Sequence, residues 1–246
     1  MLSNNFILII QARYGSSRFR GKIMADICGK PLISRILQRV KKVKKVKKII
    51  IATTKRKEDD ILLDIAKQHK VEIFRGSEND LVDRYYKAVN KMNFKHILRL
   101  PADNALPEPS EYNRLINYHL SSKNDFSSNL INFMGNEYPD GIGIEMFTFK
   151  SLQKIWKYEK RKQYREHLSK NFYECANKIK NGKFNFKIGT IKCPKKIARP
   201  ELLFDVNFKK DYLYIKKIYK NFYPKINFST KDIIKWHDKN YPNGRN

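Results

Sequence analysis

The sequence is poor in cysteine, and it has no apolar run long enough to cross a membrane. Its three cysteines are widely spaced and fit neither a disulfide framework nor a CxxC metal site. The apolar runs FILII and KIIIA have the length of strands, whereas a membrane helix needs about 20 apolar residues. No basic segment precedes FILIIQA and no small-residue cleavage site follows it, so we expect no signal peptide. These absences predict a cytoplasmic protein with no membrane partner.

Acidic residues are also scarce relative to basic ones. The 52 lysines and arginines outnumber the 24 aspartates and glutamates, which gives a formal net charge of +28. Such a charge can indicate a nucleic-acid or lipid surface, but the sequence has no RNA-binding aromatic motif, zinc-finger spacing or helix-turn-helix pattern. The densest basic run, KKVKKVKK at 41–48, lies between a predicted helix and a predicted strand. We therefore interpret most lysines as solvated surface residues and predict no specific nucleic-acid partner, although the positive field would attract anionic substrates.

Strands and helices alternate regularly in the first hundred residues. Continuous apolar runs predict buried strands, and apolar residues at helical spacing predict amphipathic helices. The predicted strands are 6–12, 48–54, 71–74 and 96–100, and the helices between them are about 30–40, 58–69 and 80–92. This order predicts an α/β protein with a Rossmann-like, mostly parallel sheet and helices on both faces.

The remainder of the chain is mixed in its patterns. It predicts strands in DFSSNL and IEMFTF, then at 184–192 and in ELLFDVN at 201–207. The predicted helices are about 110–122, 150–159, 164–180, 208–221 and 230–238. We find no internal repeat and no disordered linker, so we expect one domain spanning 1–246 with an arm-like insertion around 130–192.

The loop after the first predicted strand is rich in cations, and we refer to residues 12–22 as the basic loop. It holds Arg13, Arg18, Arg20 and Lys22 with glycine and serine between them. Ligands of open α/β sheets bind at the carboxyl ends of strands, although the glycine spacing matches neither GxGxxG nor a Walker A loop. Backbone N–H, hydroxyl and cationic groups could enclose a triphosphate. An ordinary basic loop in a basic protein would have the same composition, and charge alone does not distinguish the two.

Two aspartates follow predicted strands, Asp103 after HILRL and Asp205 at the end of ELLFDV. Mg²⁺ prefers oxygen ligands and commonly uses one or two carboxylates. The two residues would be neighbours if the last strand inserted centrally in the sheet. An acidic residue at a strand end can also simply begin a loop. The histidines have no metal-like spacing.

Several motifs together resemble the cytidylyltransferases that activate acidic sugars. The segments QARYGSSRFRGK and ICGKPLISRIL are similar to the N-terminal signature of CMP-Kdo synthetase and, more so, of the spore coat polysaccharide biosynthesis protein F group. The resemblance continues through IIIATT, FRGSENDLVDRYYKA, YPDGIGIEMF and REHL in the family's order. It implies a fold of the nucleotide-diphospho-sugar transferase type and a Mg²⁺-dependent transfer of CMP from CTP to an acidic, ulosonic-type sugar for surface polysaccharides. It also implies a homodimer formed through the 130–192 arm.

The resemblance assigns roles to individual residues. Those expected to bind the nucleotide are Ala12, Arg13, Ser16, Arg18, Lys22, Arg75 and Arg84. Catalysis is expected to depend on Arg13, Lys22 and Asp103, and Mg²⁺ is expected on Asp103 and Asp205. The residues expected to bind the acceptor sugar are Tyr138, Asp140, Glu145, Arg165 and His167.

The chain also departs from the family pattern. Arg20 replaces a proline of the basic loop, and Gly143 replaces an aspartate of the YPDG motif. Thr-Gly before the first metal aspartate becomes Pro101-Ala102, and Thr-Pro after the second becomes Val206-Asn207. These replacements leave a degenerate member of the family as one alternative interpretation.

Two other functions are compatible with the composition. A glycosyltransferase with a similar nucleotide-binding sheet would need an Asp-x-Asp metal motif after the fourth strand, and Asp103-Asn104-Ala105 is not one. A non-catalytic module that binds nucleotides or nucleic acid would use the basic surface, and its binding would weaken steeply with salt.

Overall fold

A seven-stranded mixed sheet organises the part of the chain that the computed structural model describes, residues 5–130, 133–177 and 182–244. The strands of this sheet are β1 (Phe6–Gln11), β4 (Val46–Thr54), β5 (Glu72–Gly76), β6 (His96–Pro101), β7 (Phe126–Ser128), β8 (Glu145–Thr148) and β9 (Ile188–Thr190). Two short strands, β2 (Asp26–Ile27) and β3 (Lys30–Pro31), pair separately. The sheet order is β5-β4-β1-β6-β8-β7-β9. Strands β5, β4, β1 and β6 are parallel, and β8 is antiparallel to both neighbours, which confirms the predicted mostly parallel sheet.

Helices cover both faces of the sheet. Their bounds are α1 (Leu32–Val40), α2 (Ile61–His69), α3 (Leu81–Val89), α4 (Pro109–Ser121), α5 (Phe149–Tyr158), α6 (Lys162–Glu166), α7 (Lys170–Ala176), α8 (Lys209–Phe222) and α9 (Thr230–Asn240). Alternate residues of β1 point into two separate cores, because successive side chains of a strand face opposite sides. Leu8 and Ile10 pack with α1 and α8, whereas Ile7 and Ile9 pack with α3 and α5. Among the described residues, no helix combines the length and apolarity needed to span a bilayer.

Two predicted elements of the second half differ from the structure. The predicted helix 164–180 is divided into α6 and α7, and its residues 178–180 lie outside the described part of the chain. The predicted strand 184–192 is shortened to β9. The predicted arm around 130–192 supplies β8 and β9 to the same seven-stranded sheet, and its residues 131–132 and 178–181 are likewise not described.

The predicted strand 201–207 is wrong. This segment makes only two isolated bridges, between Asp205 and Asn104 and between Leu203 and Asp140. Its apolar alternation is real, because Phe204 and Val206 are buried whereas Leu203 is half exposed. The segment packs into the core through Phe204 and Val206 without joining the sheet. The alternation of apolar residues therefore reflects burial and not hydrogen bonding to a partner strand.

A buried histidine of α4 pairs with a partly buried histidine of β6. His96 Nδ1 lies 3.1 Å from His119 Nε2, and His119 Nδ1 lies 3.0 Å from Ser127 Oγ. Burial lowers the pKa of both histidines well below the usual 6.5. The charge of Lys95 lowers the pKa of His96 further, and His96 has the same effect on His119. Both side chains are therefore neutral in the folded protein near neutral pH.

This pair predicts a loss of stability in mild acid. Below about pH 6.5 the unfolded chain binds protons at both histidines and the folded chain does not, so the free energy of unfolding falls as the pH decreases. We expect a slope of about 1.4 kcal/mol per pH unit for each histidine. Urea unfolding between about pH 7 and 5 would measure it, and His119→Gln should have a shallower slope. Equal slopes for the two proteins would contradict the prediction.

Candidate active site

A cleft of about 250 Å³ opens at the carboxyl ends of β1 and β6. It brings together eight of the residues expected from the sequence to act in binding or catalysis: Ala12, Arg13, Ser16, Arg18, Lys22, Arg84, Asp103 and His167. These residues come from the basic loop, from α3, from the end of β6 and from the end of α6. The cleft therefore lies where an open α/β sheet binds its ligands.

A network of backbone hydrogen bonds fixes the basic loop. Gly21 adopts a positive φ of 72°, which glycine tolerates without steric cost, and its N–H donates to the carbonyl of Tyr14 at 2.9 Å. The N–H of Tyr14 donates to the carboxylate of Asp59 at 2.6 Å. Asp59 is buried and also accepts from the backbone N–H and the hydroxyl of Thr54, at the end of β4. The loop is thus anchored to the neighbouring strand.

Lys22 joins three separate segments of the chain. Its side chain is almost buried, with 11% exposed. Its Nζ donates to the carbonyl of Val206 at 2.7 Å and lies 3.5 Å from Oδ2 of Asp103. One ammonium group therefore connects the basic loop, the end of β6 and the 201–207 segment.

Asp205 lies beside Asp103. The N–H of Val206 donates to the carbonyl of Asp103 at 2.9 Å, and Asp205 forms an isolated antiparallel β-bridge with Asn104. Burial and, after it, the charges of the neighbouring carboxylates Asp140 and Asp103 together raise the pKa of Asp205 to about 6. Burial and the charge of Asp103 likewise raise the pKa of Asp140. Carboxylates distant in the sequence thus crowd together beside the cleft.

Asp205 and Asp140 do not line the cleft itself. Asp205 lines a neighbouring cavity of about 770 Å³ between the 199–211 segment and α9, and its carboxylate accepts from the side-chain amide of Asn207. Asp140 accepts from the N–H of Gly141 at 2.7 Å. Within the described ranges, no group of three or more histidines, cysteines, aspartates and glutamates has the arrangement of a metal site.

Tyr138 and Glu145, both expected at the acceptor, are completely buried. The hydroxyl of Tyr138 donates to the carboxylate of Glu111 in α4. Glu145 accepts from Arg99 and from Ser169, each at 2.5 Å, and from the hydroxyl of Tyr173. These contacts satisfy both side chains inside the protein, and neither side chain lines the cleft.

Arg75 and Arg165 are also held by protein groups. Arg75 donates to the carbonyls of Thr54 and Arg56 and pairs with Asp60 at 2.7 Å, on the edge strand β5 outside the cleft. Arg165 pairs with Asp80 at 2.6 Å and donates to the carbonyls of two residues of the preceding segment, Trp156 and Glu159.

The contacts of Arg165 fix the position of α6. Asp80 is the N-cap of α3, since its Oδ1 accepts from the N–H of Asp83, so Arg165 holds α6 against the start of α3. As a result Glu166 and His167, which follow it, line the cleft.

Sequence reasoning missed three charged groups of the cleft: Glu78, Arg99 and Glu166. Arg99 was detectable in principle, because it is the only charged side chain inside the apolar run HILRL. Its partner Glu145 stands opposite it in the β6–β8 register, and that pairing was not visible from the sequence. Glu78 pairs with Arg13 at 3.7 Å.

The mixed sheet with its cleft at the ends of β1 and β6 has the architecture of the Rossmann-like nucleotidyltransferases. A solved cytidylyltransferase from Leptospira borgpetersenii serovar Hardjo-bovis superposes with a TM-score of 0.86 at 27% identity, over 98% of each chain. The profile of the cytidylyltransferase family matches residues 7–230, and the chain belongs to this family. This confirms the resemblance found in the motifs and favours a nucleotidyltransferase over a glycosyltransferase or a nucleic-acid-binding module.

Two sequence relatives span nearly the whole chain. An uncharacterized protein of Methanocaldococcus jannaschii is 32% identical over 232 residues, which cover 94% of this chain and 90% of the relative. The spore coat polysaccharide biosynthesis protein SpsF of Bacillus subtilis is 26% identical over 244 residues, which cover 96% and 95% of the two chains.

Proposed function

We propose that this cytidylyltransferase transfers CMP from CTP to an acidic, ulosonic-type sugar, releases pyrophosphate and supplies surface polysaccharide synthesis. The observation that carries the proposal is the position of Lys22 in the basic loop: its Nζ lies 3.5 Å from Oδ2 of Asp103 and donates to the backbone carbonyl of Val206, the residue after Asp205. The motifs that resemble CMP-Kdo synthetase support an acidic acceptor. The name of the Bacillus subtilis relative supports a role in polysaccharide synthesis.

The donor set beside Lys22 suits Mg²⁺. Asp103 and Asp205 offer hard oxygen ligands, and Mg²⁺ often takes only one or two carboxylates and completes its shell with water and substrate phosphates. The raised pKa of Asp205 reflects burial and repulsion among neighbouring carboxylates, which a bound cation would relieve. When bound there, Mg²⁺ would neutralise charge on the α-phosphate and the departing pyrophosphate.

The chain's own residues would bind and orient the triphosphate. Arg13 and Arg18 would neutralise the β- and γ-phosphates while the hydroxyl of Ser16 donates to a phosphate oxygen. Lys22 would hold Asp103 in place and add a positive charge at the reacting end. Arg84 of α3 also lines the cleft, and we propose that it contacts the nucleoside. An acceptor hydroxyl would then attack the α-phosphorus directly, with catalysis by positioning and electrostatics.

The acceptor would approach from the α6 side of the cleft. His167 lines the cleft and is proposed to contact the sugar, whereas Arg165 would position His167 through its pair with Asp80. Arg75, Tyr138 and Glu145 are bound within the protein and are proposed to act structurally. A homodimer formed through residues 130–192 is part of the proposal.

The experiment that tests this function incubates the protein with Mg²⁺, each of the four nucleoside triphosphates and a panel of ulosonic acids, and measures pyrophosphate. We expect release only when CTP and an acidic sugar are both present. Turnover with UTP or ATP but not with CTP would overturn the assignment of the base. Equal release without any sugar would overturn the assignment of the acceptor, and binding to nucleic acid without turnover would favour a non-catalytic protein.

A further inference from the structure

Arg20, at the position of the proline in the resembled motif, makes a specific contact outside the basic loop. Its Nη2 donates to Oε2 of Glu58 at 2.6 Å. Glu58 belongs to the short 3₁₀ turn at residues 57–59, between β4 and α2. The side chain of Arg20 is 73% exposed, whereas that of Glu58 is only 22% exposed. The contact therefore joins an exposed cation of the basic loop to a mostly buried carboxylate.

The same carboxylate also lies against the other end of the basic loop. A Cβ added to Gly15 would clash with Oε1 of Glu58, so this oxygen occupies the space that a side chain at position 15 would need. Glu58 thus touches the loop at Gly15 with one oxygen and at Arg20 with the other. Ser16 and Arg18, which line the cleft, lie between these two contacts.

A chain of alternating charges extends from this contact to the start of the loop. Glu58 lies 3.9 Å from Arg56, and Arg56 pairs with Glu78 at 2.6 Å. Glu78 in turn lies 3.7 Å from Arg13. Both ends of the basic loop are therefore tied, through side chains outside it, to the connections that follow β4 and β5.

We propose that Arg20 and Glu58 form a clasp that holds the basic loop in the conformation that binds the triphosphate. Both are positioning residues, and the inference rests on the proposed binding of CTP. A proline would restrict the backbone covalently at position 20, whereas the clasp restricts it through an ion pair and through the contact with Gly15. Ordering the loop before the ligand arrives lowers the entropy lost on binding.

The substitution Glu58→Gln distinguishes the clasp from a simple charge effect, because the two predict opposite changes in the affinity for CTP. Glutamine keeps the size of the side chain over Gly15 but removes the charge. If Glu58 acted only through its electric field, removing a negative charge near the triphosphate would tighten CTP binding. The clasp predicts the opposite, a weakening of about threefold, seen in the KM for CTP with kcat unchanged.

A double-mutant cycle distinguishes the clasp from an effect of the electric field alone. The clasp predicts that Arg20→Ala also weakens CTP binding and that R20A/E58Q is no worse than either single variant. A field effect alone predicts opposite signs that cancel in the double variant. The matched control is Glu72→Gln, which breaks the exposed pair with Lys48 at the start of β5 and should leave CTP binding unchanged.

Hydrogen exchange in the absence of nucleotide tests whether the clasp orders the basic loop, and this test does not depend on the proposed function. We expect E58Q and R20A to increase amide exchange about threefold or more in residues 14–21 and not elsewhere. Unchanged exchange in that segment would overturn the clasp. A wild-type protein that fails to bind CTP would overturn the proposed function, while the exchange comparison would still decide the clasp.

Discussion

Replacing Asp103 with asparagine is expected to lower CTP-dependent pyrophosphate release by at least about a hundredfold. Asparagine keeps the size of the side chain but removes the charge that would bind the cation. It also removes the ion pair with Lys22, whose Nζ would keep only the carbonyl of Val206 as a partner among the contacts described above. Initial rates at saturating CTP and acceptor, over a range of Mg²⁺ concentrations, would measure the effect.

The control for this substitution is Asp64→Asn on the exposed face of α2. It makes the same chemical change away from the cleft and should leave the rate within a factor of about two. Thermal unfolding of both variants would show that neither loses its fold. If D103N retained the wild-type rate, Asp103 would not bind the metal and the proposed centre would be wrong.

Replacing Glu145 with alanine is expected to lower the free energy of unfolding by about 3 kcal/mol. Glu145 is fully buried and accepts hydrogen bonds from Arg99, Ser169 and Tyr173. Its loss leaves the guanidinium of Arg99, which is only 14% exposed, without its anion. For a chain of this length the melting temperature should fall by about 6–12 °C, as measured by calorimetry or circular dichroism.

This result would separate the two interpretations of Glu145. A residue that binds sugar hydroxyls would lose acceptor affinity and retain stability, whereas a structural ion pair loses stability first. The exposed Glu72→Ala serves as control and should change the unfolding free energy by less than about 1 kcal/mol. The double variant R99M/E145L should recover part of the lost stability, because apolar residues can replace a buried ion pair. An E145A protein as stable as the wild type would contradict the prediction.

The sequence predicted the sheet better than the site. Apolar runs and helical spacing depend on neighbouring residues, and they located β1, β4, β5, β6 and the helices between them. The interpretation of 201–207 as a strand failed because burial of alternate residues does not require a partner strand. Alternating burial alone therefore predicts strands where the structure has none.

The residue roles depended on partners that are distant in the sequence. Arg165 and Asp80 are 85 positions apart, and Arg99 and Glu145 are 46 apart. No local pattern shows that these charges meet, so nothing in the sequence opposed the substrate roles that the resemblance implied for Arg165 and Glu145. The basic loop could be singled out because its cations lie within one short segment, but only the resemblance of its motif gave it a role in binding the nucleotide.

The hydrogen bond from Lys22 to the carbonyl of Val206 makes the proposed catalytic centre depend on both ends of the chain. A fragment that stops near residue 200 would contain the whole basic loop and four parallel strands. It would still lack the second aspartate and the carbonyl that orients the lysine. On the proposed mechanism, such a fragment would be inactive even if it folded, because Lys22 would lose the carbonyl that orients it.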